Sequence, residues 1–87
     1  MHSFGEEIDL NSYTSNAFTC PCDGYICVST TTTSQEKQAF AYVNGKILCV
    51  ARPNGIYGGY ADLYVKKGMY IVKGNTDTDI KFIPLLY

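Results

Sequence analysis

The sequence predicts an all-β fold: a compact antiparallel β-sandwich or jelly-roll-like domain of seven or eight short strands. Apolar and polar residues alternate along most of the chain, and Thr, Tyr, Val, Ile and Phe, which suit half-buried strands, are abundant. Turn signals recur at near-regular spacing, and no window shows helical periodicity. The 87 residues suffice for one domain, which we place at residues 17–87, behind an N-terminal arm or anchor at residues 1–16.

The first strands come from a cysteine-rich segment. Residues 17–20 form a short predicted strand that Pro21 ends, and Asp23-Gly24 makes a turn into a second strand over residues 25–30. In this second strand, Ile26, Val28 and Thr30 face one way, and the residues between them face the other. Residues 31–38 are polar and indicate a loop.

The hairpin over residues 39–51 is the best-marked element. Asn44-Gly45 separates the apolar runs 39–43 and 46–51, and both turn residues tolerate a positive φ, so the pair is a strong hairpin signal. A glycine-rich loop, RPNGIYGG, follows from Arg52 to Gly59. Three more strands complete the prediction, at residues 60–65, 69–73 and 80–86.

Composition and charge exclude several classes of partner. The chain is 46% hydrophobic and only 17% charged, with a net charge of −1. It lacks the basic stripe that a phosphate backbone requires, so we expect no nucleic acid partner. No apolar run is long enough for membrane insertion. The first residues lack the cationic and apolar regions of a secretory signal, so we expect synthesis in a cytoplasm.

The four cysteines are the first place to look for metal ligands. They are Cys20, Cys22, Cys27 and Cys49. Structural zinc sites present paired knuckles from two loops, whereas here a CPC segment precedes cysteines inside strands. We expect buried thiols that act as small apolar side chains, and no cofactor. A zinc site of all four cysteines, or a disulfide to Cys49, stays open as an alternative.

No active site can be identified from the sequence. The single histidine is His2, at the N-terminus, so no Ser-His-Asp or Cys-His arrangement can form in the folded core. Most candidate acidic residues stand in turns, where an Asp side chain caps its own backbone. The sequence therefore indicates a structural or binding module and not an enzyme.

The tyrosines give the candidate ligand site. There are eight Tyr and no Trp, and two of the tyrosines, Tyr57 and Tyr60, lie in or beside the glycine-rich loop with Arg52 and Asn54. Tyr offers a flat apolar face and a hydroxyl, which suit sugar stacking or protein contact. Loops on a rigid sheet commonly carry recognition, so these four residues are the predicted binding site.

The order of segments FTCPCDGYICVS, AYVNGKILCVA, DLYVKKGMYIVKGN and IKFIPLLY resembles the small distal β-domains of bacteriophage tail-fibre and head-fibre proteins. Gly24, Asn44-Gly45, Lys67-Gly68 and Pro84 match that pattern of turns and strands. The resemblance implies a homotrimeric β-sandwich that displays loops to a bacterial surface.

The function that this resemblance implies is that of a virion structural or host-attachment module, either a fibre tip or a capsid-decorating adhesin. It would be made in the host cytoplasm and located in the virion. Its partners would be two more copies of itself, other virion proteins through the arm, and a bacterial surface glycan or protein. Two alternatives stay open: a monomeric carbohydrate-binding module that uses Tyr57 and Tyr60, and a small zinc-binding module.

Overall fold

The structure, a computed structural model, describes residues 3–86, with only the backbone at Ser3, and all its regular elements are strands. They are β1 (Ser3–Phe4), β2 (Ile8–Asp9), β3 (Phe18–Thr19), β4 (Gly24–Thr30), β5 (Ala39–Val43), β6 (Lys46–Ala51), β7 (Gly59–Val65), β8 (Tyr70–Lys73) and β9 (Asp79–Leu86). The all-β prediction is confirmed, and the hairpin strands β5 and β6 have the predicted bounds.

The strands form two antiparallel sheets. The first sheet has the order β1–β9–β4–β7, with β2 also paired to β9, and the second has the order β3–β8–β5–β6. Because β1 and β2 pair with successive parts of β9, they act as one interrupted edge strand. If β1 and β2 together are counted as strand 1, and β3 to β9 as strands 2 to 8, the sandwich has eight strands. Their order is then 1-8-3-6 in the first sheet and 2-7-4-5 in the second. This is the strand order of a jelly roll, and the predicted fold class is confirmed.

The segment assigned to an arm lies on the sandwich over its described residues, 3–16. Ile8 pairs with Phe82 of β9. Leu10 is fully buried in the core, and its backbone N–H donates to the Ile80 carbonyl at 3.0 Å. These residues therefore close one edge of the first sheet and contribute to the core.

The core lies between the two sheets and is made of inward-facing side chains. The largest fully buried ones are Phe82, Leu10, Ile26, Ile71, Ile80, Val28 and Val65. Ile26, Val28 and Thr30, which the alternation places on one face of β4, are all buried. The rings of Phe18 and Phe82, one from each sheet, lie 5.4 Å apart and join the two layers.

The connections divide between two ends of the sandwich. The long ones, residues 10–17, 31–38, 52–58 and 74–78, meet at one end, which we call the loop end. The Gly55 N–H donates to the Thr33 carbonyl at 2.8 Å, and the Lys73 N–H donates to the Tyr13 carbonyl at 2.9 Å. The short turns at residues 20–23, 44–45 and 66–69 lie at the opposite end, which we call the turn end.

The turn end is organised around one carboxylate. Asp23 accepts hydrogen bonds from the Lys67 N–H at 2.9 Å and from the Tyr64 hydroxyl at 3.1 Å. The same bonds lower the pKa of Asp23, with a smaller contribution from the nearby lysines, because they stabilise its charged form. Asp23 thus ties the turn before β4 to the turn after β7.

Candidate functional site

The tip of the loop at residues 52–58 displays two large apolar side chains. Ile56 is 74% exposed and Tyr57 is 70% exposed. Their loop connects β6 to β7, so it projects from the loop end where the two sheets meet. Side chains this exposed gain little from the protein's own core, which makes the tip a candidate contact surface.

The loop tip is held by hydrogen bonds. The Asn54 Oδ1 accepts from the Ile56 N–H at 2.9 Å and from the Tyr57 N–H at 2.7 Å. The Gln35 Nε2 donates to the Asn54 carbonyl at 3.1 Å, which ties this loop to the one before β5. Asn54, predicted as a binding residue, thus shapes the loop as an Asx turn. Arg52 is exposed at the base of the same loop.

Tyr60 belongs to a different surface from Tyr57. It lies on β7 opposite Ser29 of β4, and its side chain stands on the outer face of the first sheet, 64% exposed. The structure therefore keeps Arg52, Asn54 and Tyr57 in one loop but separates Tyr60 from them. The register of β4 and β7 decides this placement.

A shallow groove of about 220 Å³ runs beside Tyr60 on that outer face. Its lining residues come from four strands or their ends: Phe4, Tyr25, Cys27, Tyr60, Asp62 and Ile83. The ring centroids of Phe4 and Tyr25 are 6.3 Å apart, with the ring planes tilted by 60°. Phe4 and Tyr25 thus form one wall of the groove, and Tyr60 lies across from them over the buried Cys27.

The charges around the groove are predominantly negative. Asp62 lies opposite Cys27 in the register and forms no ion pair with any described residue. Lys81, which lies on the other side of Cys27 in the register, forms an ion pair with Glu7, with Nζ and Oε2 3.1 Å apart. A hydrogen bond with the Cys27 side chain raises the pKa of Tyr60 to about 12, with smaller contributions from lost solvation, from the charges of Cys27 and Asp62 and from a hydrogen bond with the Asp62 carboxylate. Its hydroxyl therefore stays protonated at neutral pH.

The outer face of the second sheet is apolar and carries no charge at its described outward positions. Outward positions follow from the register, because residues directly opposite each other share a face. They are Thr19, which lies opposite Tyr70 at the β3 edge, and six apolar residues that we call the apolar face: Phe40, Tyr42, Ile47, Val50, Tyr70 and Val72. Ile47 is 55% exposed and Tyr70 is 47% exposed.

The apolar face and most of the groove were not predicted from the sequence. A signal for the apolar face was present, because the runs 39–43 and 47–51 are apolar at consecutive positions and so on both faces of their strands. For the groove there was no comparable signal, since Phe4 reaches it through a two-residue strand.

The four cysteines are free thiols with different surroundings. Cys20 is buried in the core. Cys22 and Cys49 are half-buried and pack against the core cluster. Burial raises the pKa of Cys20 and of Cys49 to about 11. Within residues 3–86, no group of three or more Cys, His, Asp or Glu side chains is placed to hold a metal ion. His2 lies outside the described residues.

The chain was compared with known proteins in three ways. No protein-family model, curated protein or solved structure matches it. The described part of the chain also contains no helix long and apolar enough to cross a membrane.

Proposed function

We propose that this chain is a non-enzymatic virion module of a bacteriophage that self-associates through the apolar face and attaches to a bacterial surface through the loop tip. The observation that carries the proposal is the apolar face, six outward residues without a charge on one side of the sandwich. The number of copies, three, and the virion location follow from the resemblance to distal fibre domains. The jelly-roll strand order, found in viral capsid and lectin domains, supports the proposal by analogy of fold.

A second copy of the chain is the occupant that the apolar face fits best. The molecule measures 39 by 30 by 18 Å, so each broad face is large enough for the ~800 Å² per partner that stable interfaces bury. Interface centres are depleted in charge and enriched in aromatic residues, and this face carries Phe40, Tyr42 and Tyr70. Association would also stabilise a domain of only 87 residues.

Pairing through the β6 edge is a poorer route to self-association than contact through the apolar face. The strand β6 forms an edge of the second sheet, but its register shifts opposite Phe40 and Ala41, which leaves Cys49 as an extra, bulged residue. Bulges twist an edge strand away from further pairing. We therefore assign the contact to the face of the sheet and not to the β6 edge.

A pair of matched variants tests this assignment. Ile47→Lys places a charge on the apolar face, and Ile56→Lys makes the same change at the more exposed loop tip. We expect Ile47→Lys to dissociate the oligomer in sedimentation velocity, and Ile56→Lys to leave it intact. Both positions are exposed, so circular dichroism should show the same strand content in both variants. Equal behaviour of the two variants would contradict the assignment.

Attachment is assigned to the loop tip because the Asn54 turn holds the backbone that carries its two most exposed side chains, Ile56 and Tyr57. The test is an array of purified bacterial surface polysaccharides and envelope proteins, probed with the labelled protein. We expect Tyr57→Ala to abolish the wild-type signal and Tyr60→Ala to retain it. A signal that depends on Tyr60 and not on Tyr57 would move attachment to the groove, and the absence of any signal would contradict an attachment role.

A further inference from the structure

The groove on the first sheet combines aromatic rings with an acidic environment. Phe4 and Tyr25 line one side and Tyr60 the other, and Asp62 is its charged lining residue. Aromatic faces attract cations through their quadrupoles, most strongly when the cation lies within about 6 Å of the ring centroid. The Asp62 carboxylate, which has a hydrogen bond with Tyr60 but no ion pair with any described residue, adds a negative charge at the same place.

The wider face has the same sign of charge. Asp9 lies opposite Lys81, and Asp79 lies opposite Ser29, so both carboxylates stand on the outer side of this sheet with Asp62. Lys81 is occupied by its ion pair with Glu7. A cationic ligand would therefore be attracted to this surface, and an acidic one repelled.

We propose that the groove between Phe4 and Tyr60 binds an organic cation, with its ammonium group against the aromatic rings and next to the Asp62 carboxylate. The volume of about 220 Å³ is below the ~300–1,000 Å³ of sites for drug-sized ligands, so the groove fits a single head group. Quaternary ammonium groups are the cations that aromatic cages recognise, because they are bulky and weakly hydrated. A choline head group and a methylated lysine side chain both present such a cation.

The inference goes beyond the proposed function and does not depend on it. The groove lies on the outer face of the first sheet, and the apolar face lies on the opposite side of the sandwich. Failure of cation binding would leave the self-association result unchanged, and a monomeric protein could still bind the cation.

The test is a heteronuclear NMR titration of the full chain with choline and, separately, with its neutral isostere, in which carbon replaces the nitrogen. We expect choline to shift the signals of Tyr60 and Asp62 and the isostere to shift them far less. Asp62→Asn and Tyr60→Ala should each weaken binding about threefold to tenfold, and Tyr60→Phe, which keeps the ring, should retain it. Asp77→Asn, which neutralises an exposed carboxylate in the loop at residues 74–78 and away from the groove, is the matched control for Asp62→Asn and should bind like the wild type.

Additional titrations distinguish a lipid source of the cation from a protein source. They also define the results that would overturn the proposal. Binding to phosphatidylcholine vesicles but not to free trimethyllysine would identify a lipid head group, and the reverse would identify a protein side chain. Equal binding of choline and its isostere would show that charge plays no part and would overturn the proposal. Binding of neutral N-acetylglucosamine without choline binding, or no response to choline at tens of millimolar, would also overturn it.

Discussion

Replacing Cys49 with Gly should leave the protein more stable than replacing it with Ala, the reverse of the usual order in a strand. Cys49 has a φ of 61°, in the left-handed region, at the point where β6 carries an extra residue relative to β5. A side chain with a Cβ is strained there, whereas Gly adopts this conformation freely. Both substitutions remove the same thiol, so their difference isolates the backbone.

The magnitude follows from two opposing terms. The left-handed conformation costs a non-Gly residue about 1–2 kcal/mol. Gly loses about 0.4–1 kcal/mol more than Ala in backbone entropy on folding. The Gly variant should therefore be about 0.5–1 kcal/mol more stable than the Ala variant, which corresponds to a few degrees in Tm for a domain of this size.

The assay is urea unfolding of both variants at the same protein concentration under reducing conditions. Val50, the next residue, has no positive φ and is the matched control. At Val50 the Ala variant should be the more stable one, by about 0.5–1 kcal/mol. The same order of Ala above Gly at both positions would refute the argument that the bulge is strained at Cys49.

Three other perturbations have expected outcomes from the same structure. Gly74→Ala should destabilise the fold by about 1–3 kcal/mol in urea unfolding, because the new Cβ would clash with the Phe40 carbonyl oxygen; unchanged stability would contradict this packing. Burial holds the pKa of Cys20 and Cys49 at about 11 against 9.0 for a free thiol, so the unfolded chain loses these protons first and stability should fall as pH rises from 9 to 11. A flat urea midpoint over that range would exclude buried neutral thiols. The pKa of Asp23 is lowered from 3.8, so its contribution should be present at neutral pH and disappear as pH falls below 3.8. The stability difference between the wild type and Asp23→Asn should therefore close in acid, and a constant difference would contradict the turn-end hydrogen bonds.

Turn chemistry is the reason that most of the fold was predictable. Asn44 and Gly45 both have positive φ in the structure, 51° and 81°, as the hairpin prediction required. Gly68 has a φ of 91° in the turn before β8. Because turns fix where strands end, the bounds of the strands between them followed from local residues.

The strands that were not predicted from the sequence depend on pairing partners that are distant in the chain. The strands β1 and β2 have two residues each, too few to show alternation, and they exist because β9 offers an edge. The bulge at Cys49 was not predicted for a different reason, since nothing in the local sequence indicates that a cysteine adopts the left-handed backbone conformation there.

The candidate site was only partly predictable for the same reason. The loop residues Arg52, Asn54 and Tyr57 are near each other in the chain, and the loop's turn residues identified it. The face on which Tyr60 stands is set by its pairing with Ser29, thirty-one positions earlier in the sequence. The apolar face is likewise a product of pairing, because β5 brings together residues of β6 and β8.

The central claim, self-association through the apolar face, is tested most directly by the native mass of the wild-type protein. The measurement is light scattering on a size-exclusion column over a series of protein concentrations. The account predicts a mass of three subunits, which Ile47→Lys reduces to that of one. A wild-type protein that stays monomeric at every concentration would contradict it.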